Sequence, residues 1–242
     1  MTICEREPSA VAAIDIPENV QRTLLVAAGA CTDSMTPDHI ERSAMSYGDP
    51  ASARRMTKIV AAARAQSAKV IGITGARAGI GVSVASRDLA NAFASFAAPT
   101  LLADVSRAAV GGQSTGEPGA GASLLEMATE VRPQLAVVSF GGEAGLLSVS
   151  EGELRGGIAE AVAQGYTVIL DLPPVLEAAG GPTASLVAMS GVCDLVFLVS
   201  LSGEMKHKEL AACVETSRTI GLKLGGLILN DWRMPASSLI ES

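Results

Sequence analysis

Aromatic residues are scarce in this chain: Phe, Tyr and Trp together account for 3% of its 242 residues. Its core must therefore be built from Ala, Val, Leu and Ile. There are two histidines, His39 and His207, and four cysteines, Cys4, Cys31, Cys193 and Cys213. No CxxC pair and no Cys/His cluster occurs, which argues against a structural zinc site. The cysteines read as unpaired thiols in a reducing compartment. No uninterrupted apolar run reaches the ~18 residues that suggest a membrane-spanning helix. The first residues carry Glu5 and Glu7 and hold no apolar stretch of the kind a secretory signal needs, so a cytoplasmic protein is expected. Positive charge is short as well. Lys and Arg number 18 against 25 Asp and Glu, a net charge of −7. Such a balance is poorly suited to gripping DNA or an anionic lipid surface, so no nucleic-acid partner is expected.

What is present points to a folded α/β protein. Hydrophobic residues make up 48% and charged residues 18%, which excludes a mostly disordered chain. The length suits one large domain, or a domain with an arm. Residues 1–66 hold Pro8, Pro17, Pro37 and Pro50 and no convincing strand, and they read as an N-terminal helical arm. A short helix is expected over 19–28. A longer lead-in helix is expected from Asp49-Pro50 onward, with Asp49 as its cap and Pro50 in its first turn.

From Lys69 the pattern changes. Short β-branched or Leu-rich runs recur at 70–74, 100–103, 135–139, 167–170, 195–200 and 224–229, and helical stretches at 83–96, 151–164 and 204–220 separate most of them. Apolar strands spaced by helices imply a mostly parallel sheet with helices on both faces, here over residues 67–242. Residues 111–121, rich in glycine, read as a loop. Glu151, Glu153 and Glu160 read as a solvated helix face, His207 as a solvated helix residue, and Cys193 and Cys213 as core or helix-face positions.

The informative stretch is KVIGITGARAGIGVS, residues 69–83. A buried strand runs into a glycine-rich turn and then a helix. Backbone N–H groups at a helix N-terminus bind phosphate, because unpaired donors and the helix dipole both favour an anion. Gly75, Ala78, Gly79, Ile80, Gly81, Val82 and Ser83 are the candidate cofactor-binding positions of this turn.

Two families fit these residues. TGARAGIG, residues 74–81, resembles the cofactor loop of the short-chain dehydrogenases, and Asp104 would then receive a ribose hydroxyl of NAD(P). That family also uses a Tyr-x-x-x-Lys pair. Here Tyr47 is followed four residues on by Ala51, and Tyr166 by Leu170.

The chain is more extensively similar to the ParA/MinD-type P-loop ATPases, and within them to the cytoplasmic domain of bacterial tyrosine kinases of capsule and exopolysaccharide synthesis. This resemblance covers roughly residues 50–232. TLLADVSR at 100–107 sits where the family has its second acidic motif. GYTVILDLPPV at 165–175 resembles the Walker B strand, CDLVFLVS at 193–200 the next sheet strand, and GLKLGGLILND at 221–231 the last strand. The resemblance implies a P-loop NTPase-like fold and ATP or ADP with Mg²⁺ as cofactor. It places Ser83, Asp104 and Asp171 around the metal and Asn230 near the adenine. It also implies a membrane-bound partner in polysaccharide synthesis or export, peripheral attachment to the inner membrane through that partner, and a homo-oligomer paired across the nucleotide site.

The departures from the family are specific. A P-loop reads GxxxxGK[ST]; here Val82 stands at the lysine position and Ala76 at the first glycine. The lysine ammonium neutralises charge on the β- and γ-phosphates. Losing one such stabiliser costs about 10²–10³ in rate. Arg77 falls where the family has its extra lysine, which implies either a replacement cation and an active ATPase, or a solvated loop charge. Asp104 keeps the first Asp of the second acidic motif, whose other Asp is Ser106. The last residues, WRMPASSLIES, hold no tyrosine for a kinase's usual tail. The expectation is a degenerate ATPase with weak or absent hydrolysis, and Arg77, Asp104 and Asp171 as candidate catalytic groups.

Overall fold

The computed structural model describes residues 24–27, 56–106, 109–110, 123–142, 145–146, 148–176 and 181–230. The glycine-rich loop at 111–121, the start of the lead-in helix, Cys4, Cys31, His39, Tyr47 and the last residues, WRMPASSLIES, lie outside the described residues.

In chain order the elements are β1 (Leu24–Ala27), α1 (Thr57–Ala65), β2 (Val70–Gly75), α2 (Val82–Ser95), β3 (Thr100–Asp104), α3 (Leu124–Met127), β4 (Thr129–Arg132), β5 (Leu135–Ser139), α4 (Glu151–Ala163), β6 (Thr167–Asp171), α5 (Ala184–Ser190), β7 (Leu195–Leu201), α6 (His207–Thr219) and β8 (Leu224–Asn230). Two short ladders, Ala109–Val110 with Ser148–Val149 and Gly141–Gly142 with Gly145–Leu146, stand apart from the main sheet. The six apolar runs all form strands within one residue of the expected limits. The expected helix over 19–28 is corrected by the structure: Leu24–Ala27 is a β-branched and Leu-rich segment that pairs in parallel with β8. No sequence pattern marks the hairpin arm β4 or helix α5, which are only 4 and 7 residues long.

The main sheet has the order β1-β8-β7-β2-β6-β3-β5-β4, parallel throughout except for β4 against β5. Helices cover both faces, as the continuous apolar strands require. One core holds α1 and α2 against Ile71, Ile73, Leu102, Ile169, Phe197 and Ile228. The other holds α4 and α5 against Val70, Leu101, Ala103, Val168, Leu170 and Leu198. Alternate residues of each strand thus enter alternate cores. Arg64 of α1 lies 5.1 Å over the ring of Phe96, just past the end of α2, which joins the two helices of the first core.

Local signals account for several helix starts. Ser150 and Glu153 form a reciprocal capping box at α4. Its Ser150 hydroxyl holds the Glu153 carboxyl below the usual range. Thr183 Oγ1 accepts from Leu186 N at 3.0 Å to start α5. Asp194, in the turn before β7, accepts from the backbone N–H groups of Lys69 and Val70 at 2.8 and 2.9 Å, pinning the start of β2. As expected, Glu151, Glu153, Glu160 and His207 are exposed, and Cys193 and Cys213 are buried.

Candidate functional site

The candidate site lies at the carboxyl ends of the central strands, where ligands gather in open parallel sheets. β2 ends at Gly75, and the chain turns through Ala76–Gly81 into α2. Gly79 and Gly81 have φ of +78° and +91°, a left-handed backbone that glycine adopts without steric cost. Gly81 is the N-cap of α2 and offers no side-chain cap, so the amides of the first turn keep their outward donors. Ile80 is buried in the first core at 2% exposure and holds the middle of the turn inward. Arg77, Ala78 and Gly79 are exposed, and Val82 and Ser83 are half-buried.

Val82 packs against the first core. At this position a lysine would be expected to reach the phosphates; the valine instead presents a methyl-bearing side chain to Gly75, whose added Cβ would stand 3.1 Å from Val82 Cγ2. The loop therefore presents backbone N–H groups at the start of α2, with no ammonium at the Val82 position.

The acidic residues come together through strand order. β6 lies between β2 and β3, and Asp171 is the register partner of Asp104. Neighbouring strands are about 4.8 Å apart and registered residues share a face. Because Ile169 and Leu102 enter the core beneath α2, Asp171 and Asp104 also fall on the α2 side of the sheet. Asp171 is buried at 4% exposure. Asp104 is half-buried and accepts from Ser106 N at 3.1 Å and Ser106 Oγ at 2.6 Å. Ser106 thus fixes a rotamer of Asp104, a use that its place in the sequence did not reveal. With Ser83 in the first turn of α2, Asp104 and Asp171 are oxygen donors of the kind that would suit a hard ion such as Mg²⁺. Among the described residues no group of three or more Cys, His, Asp and Glu gathers as a metal cluster.

Asn230 ends β8 on the same face as Ile228. Its Nδ2 donates to the carbonyl of Ile80 at 2.9 Å. This bond ties the end of β8 to the loop itself. Arg77 is exposed and forms an ion pair with Glu204 of the same chain at 3.1 Å. Glu204 is a site neighbour that the sequence did not mark, and the structure also joins Thr74 to Pro173. Thr74 Oγ1 donates to Pro173 O at 2.6 Å and ties the end of β2 to the turn after β6. These contacts join residues 99 and 127 positions apart, and no local pattern announces them.

The topology also decides between the two resemblances. In the dinucleotide-binding fold the strand after the glycine-loop helix lies directly beside the loop's own strand. Here β6 intervenes between β2 and β3. The dehydrogenase resemblance stops at the loop, and Asp104 stands beside an acidic partner.

No protein-family model matches the sequence, and no curated protein sequence matches it. Solved structures do. The BceF tyrosine kinase domain is 25% identical with a TM-score of 0.56, covering 75% of this chain and 76% of its own. The kinase domain of the Escherichia coli tyrosine kinase ETK is 18% identical with a TM-score of 0.63, covering 93% and 98%. MinD from Pyrococcus horikoshii OT3, complexed with Mg-ADP, is 14% identical with a TM-score of 0.52, covering 70% and 75%. The chain has the α/β fold common to the ParA/MinD-type P-loop ATPases and the bacterial tyrosine kinase domains.

Proposed function

We propose that this chain is a degenerate nucleotide-binding protein of the bacterial tyrosine-kinase type, acting as a regulatory or assembly partner in exopolysaccharide or capsule synthesis or export. The observation that carries the proposal is the pairing of a glycine cradle with Asp104 and Asp171 around a loop whose lysine position is Val82. The amides of residues 79–83 would hold a diphosphate, and Ser83, Asp104 and Asp171 would hold Mg²⁺ beside it. Bound Mg²⁺ would offset phosphate charge. Binding is weak and hydrolysis slow or absent, because the cation that normally sits on the β- and γ-phosphates is missing; such a loss costs about 3–4 kcal/mol in the transition state.

The polysaccharide setting and a membrane-bound partner are supported by the likeness to bacterial tyrosine kinase domains. Among the described residues no helix is long and apolar enough to cross a membrane, so in this reading attachment runs through the partner. A homo-oligomer closed across the nucleotide site is part of the same proposal.

Calorimetric titration with Mg-ATP, Mg-ADP and NADPH tests the reading. Adenine nucleotide should bind, and Asp171→Ala should weaken it. Turnover lost on Asp171→Ala would overturn the degenerate reading in favour of an active ATPase. NADPH binding alone would overturn the P-loop reading.

A further inference from the structure

Two contacts tie the phosphate loop to the ends of β7 and β8, and they differ in kind. Asn230 Nδ2 to Ile80 O is a neutral, half-buried bond to the backbone. Arg77 to Glu204 is an exposed ion pair between side chains that are 49% and 36% accessible. Glu204 stands on a fixed base. Ser202 N donates to Asn230 O at 2.9 Å, and Glu204 N to Leu201 O at 3.4 Å. Met205, the next residue, packs into both cores and accepts from Ser200 Oγ at 3.3 Å. Arg77 is the only cation in the sequence of the loop, residues 75–83. The carboxylate of Glu204 therefore occupies the one side-chain charge that an incoming anion at the loop would seek.

We infer that Glu204 is an affinity-setting residue of the phosphate loop: its carboxylate competes with a bound phosphate for the Arg77 guanidinium and must yield it when a diphosphate enters. This rests on the phosphate-site reading above. A guanidinium offers five N–H donors, but a carboxylate and a phosphate sharing them repel each other. Binding is thus opposed twice, by the carboxylate's own charge and by the loss of the ion pair. Only the second part depends on Arg77.

The test is titration calorimetry of the full chain with inorganic pyrophosphate and with Mg-ADP, on the wild type, Glu204→Gln, Arg77→Gln and the double variant. Thermal unfolding checks that all four fold alike. Glu204→Gln is expected to tighten binding about two- to five-fold, the range that an exposed ion pair controls. In the Arg77→Gln background that gain should fall by at least about half. Unchanged or weaker binding by Glu204→Gln overturns the inference, as does an equal gain in both backgrounds, which would be plain charge repulsion. Silence of all four proteins with both probes overturns the phosphate site itself, and the inference with it.

Discussion

Replacing Gly81 by alanine is expected to lower the stability of the chain by about 2–3 kcal/mol. Gly81 caps α2 with φ of +91°. An L-residue in the left-handed region costs about 1–2 kcal/mol. The new Cβ would also overlap Asn230 Nδ2. Asn230 must then release the Ile80 carbonyl, which forfeits a bond of 2.9 Å worth about 1 kcal/mol net. For a chain of this size each kcal/mol lowers Tm by about 2–4 °C, so the fall should be about 4–12 °C. Thermal unfolding followed by circular dichroism measures it. The second arm is Gly81→Ala in an Asn230→Ala background. There the bond is already gone and the overlap removed, so the glycine substitution should cost about 1 kcal/mol less. A Tm within about 1 °C of the parent would refute both the strained backbone and the close approach. An undiminished cost in the Asn230→Ala background would refute the part assigned to Asn230.

Further outcomes follow from contacts and burial elsewhere in the fold. Thr74→Val keeps the shape of a fully buried side chain but leaves the buried Pro173 carbonyl without its 2.6 Å donor, so it should cost about 1–3 kcal/mol in urea unfolding. Asp194→Ala removes the acceptor of two backbone N–H groups at the start of β2; a loss of about 1–2 kcal/mol is expected, and Asp194→Asn, which keeps one acceptor oxygen, should recover part of it. Burial pushes the thiols of Cys193 and Cys213 up to about 12 from an ordinary 9. Both should resist alkylation in the native protein at pH 8, as read by peptide mass spectrometry. The folded state holds these protons more tightly than the unfolded state does. Their contribution is therefore fully present below pH 9 and is lost as pH rises towards 12, so unfolding free energy should fall over that window.

The glycine loop, the valine at the lysine position and the six central strands were legible along the chain, because each rests on local chemistry. Apolar runs bounded by turn residues form strands, and glycines precede a helix where the backbone must turn left-handed. Two edge strands escape such a reading for the same physical reason. Leu24–Ala27 and Thr129–Arg132 lie at opposite edges of the sheet, where 4 residues carry too little pattern to declare themselves. Strand order was settled only by the packed sheet. By inserting β6 between β2 and β3, it set Asp171 beside Asp104, and it separated this fold from the dinucleotide-binding one that the loop alone resembles. Tertiary structure likewise brought Asn230 to Ile80 and Glu204 to Arg77, across 150 and 127 positions. Hydrogen bonds and ion pairs between the ends of distant strands depend on which strands are neighbours, and that is decided by burying both faces of the sheet at once.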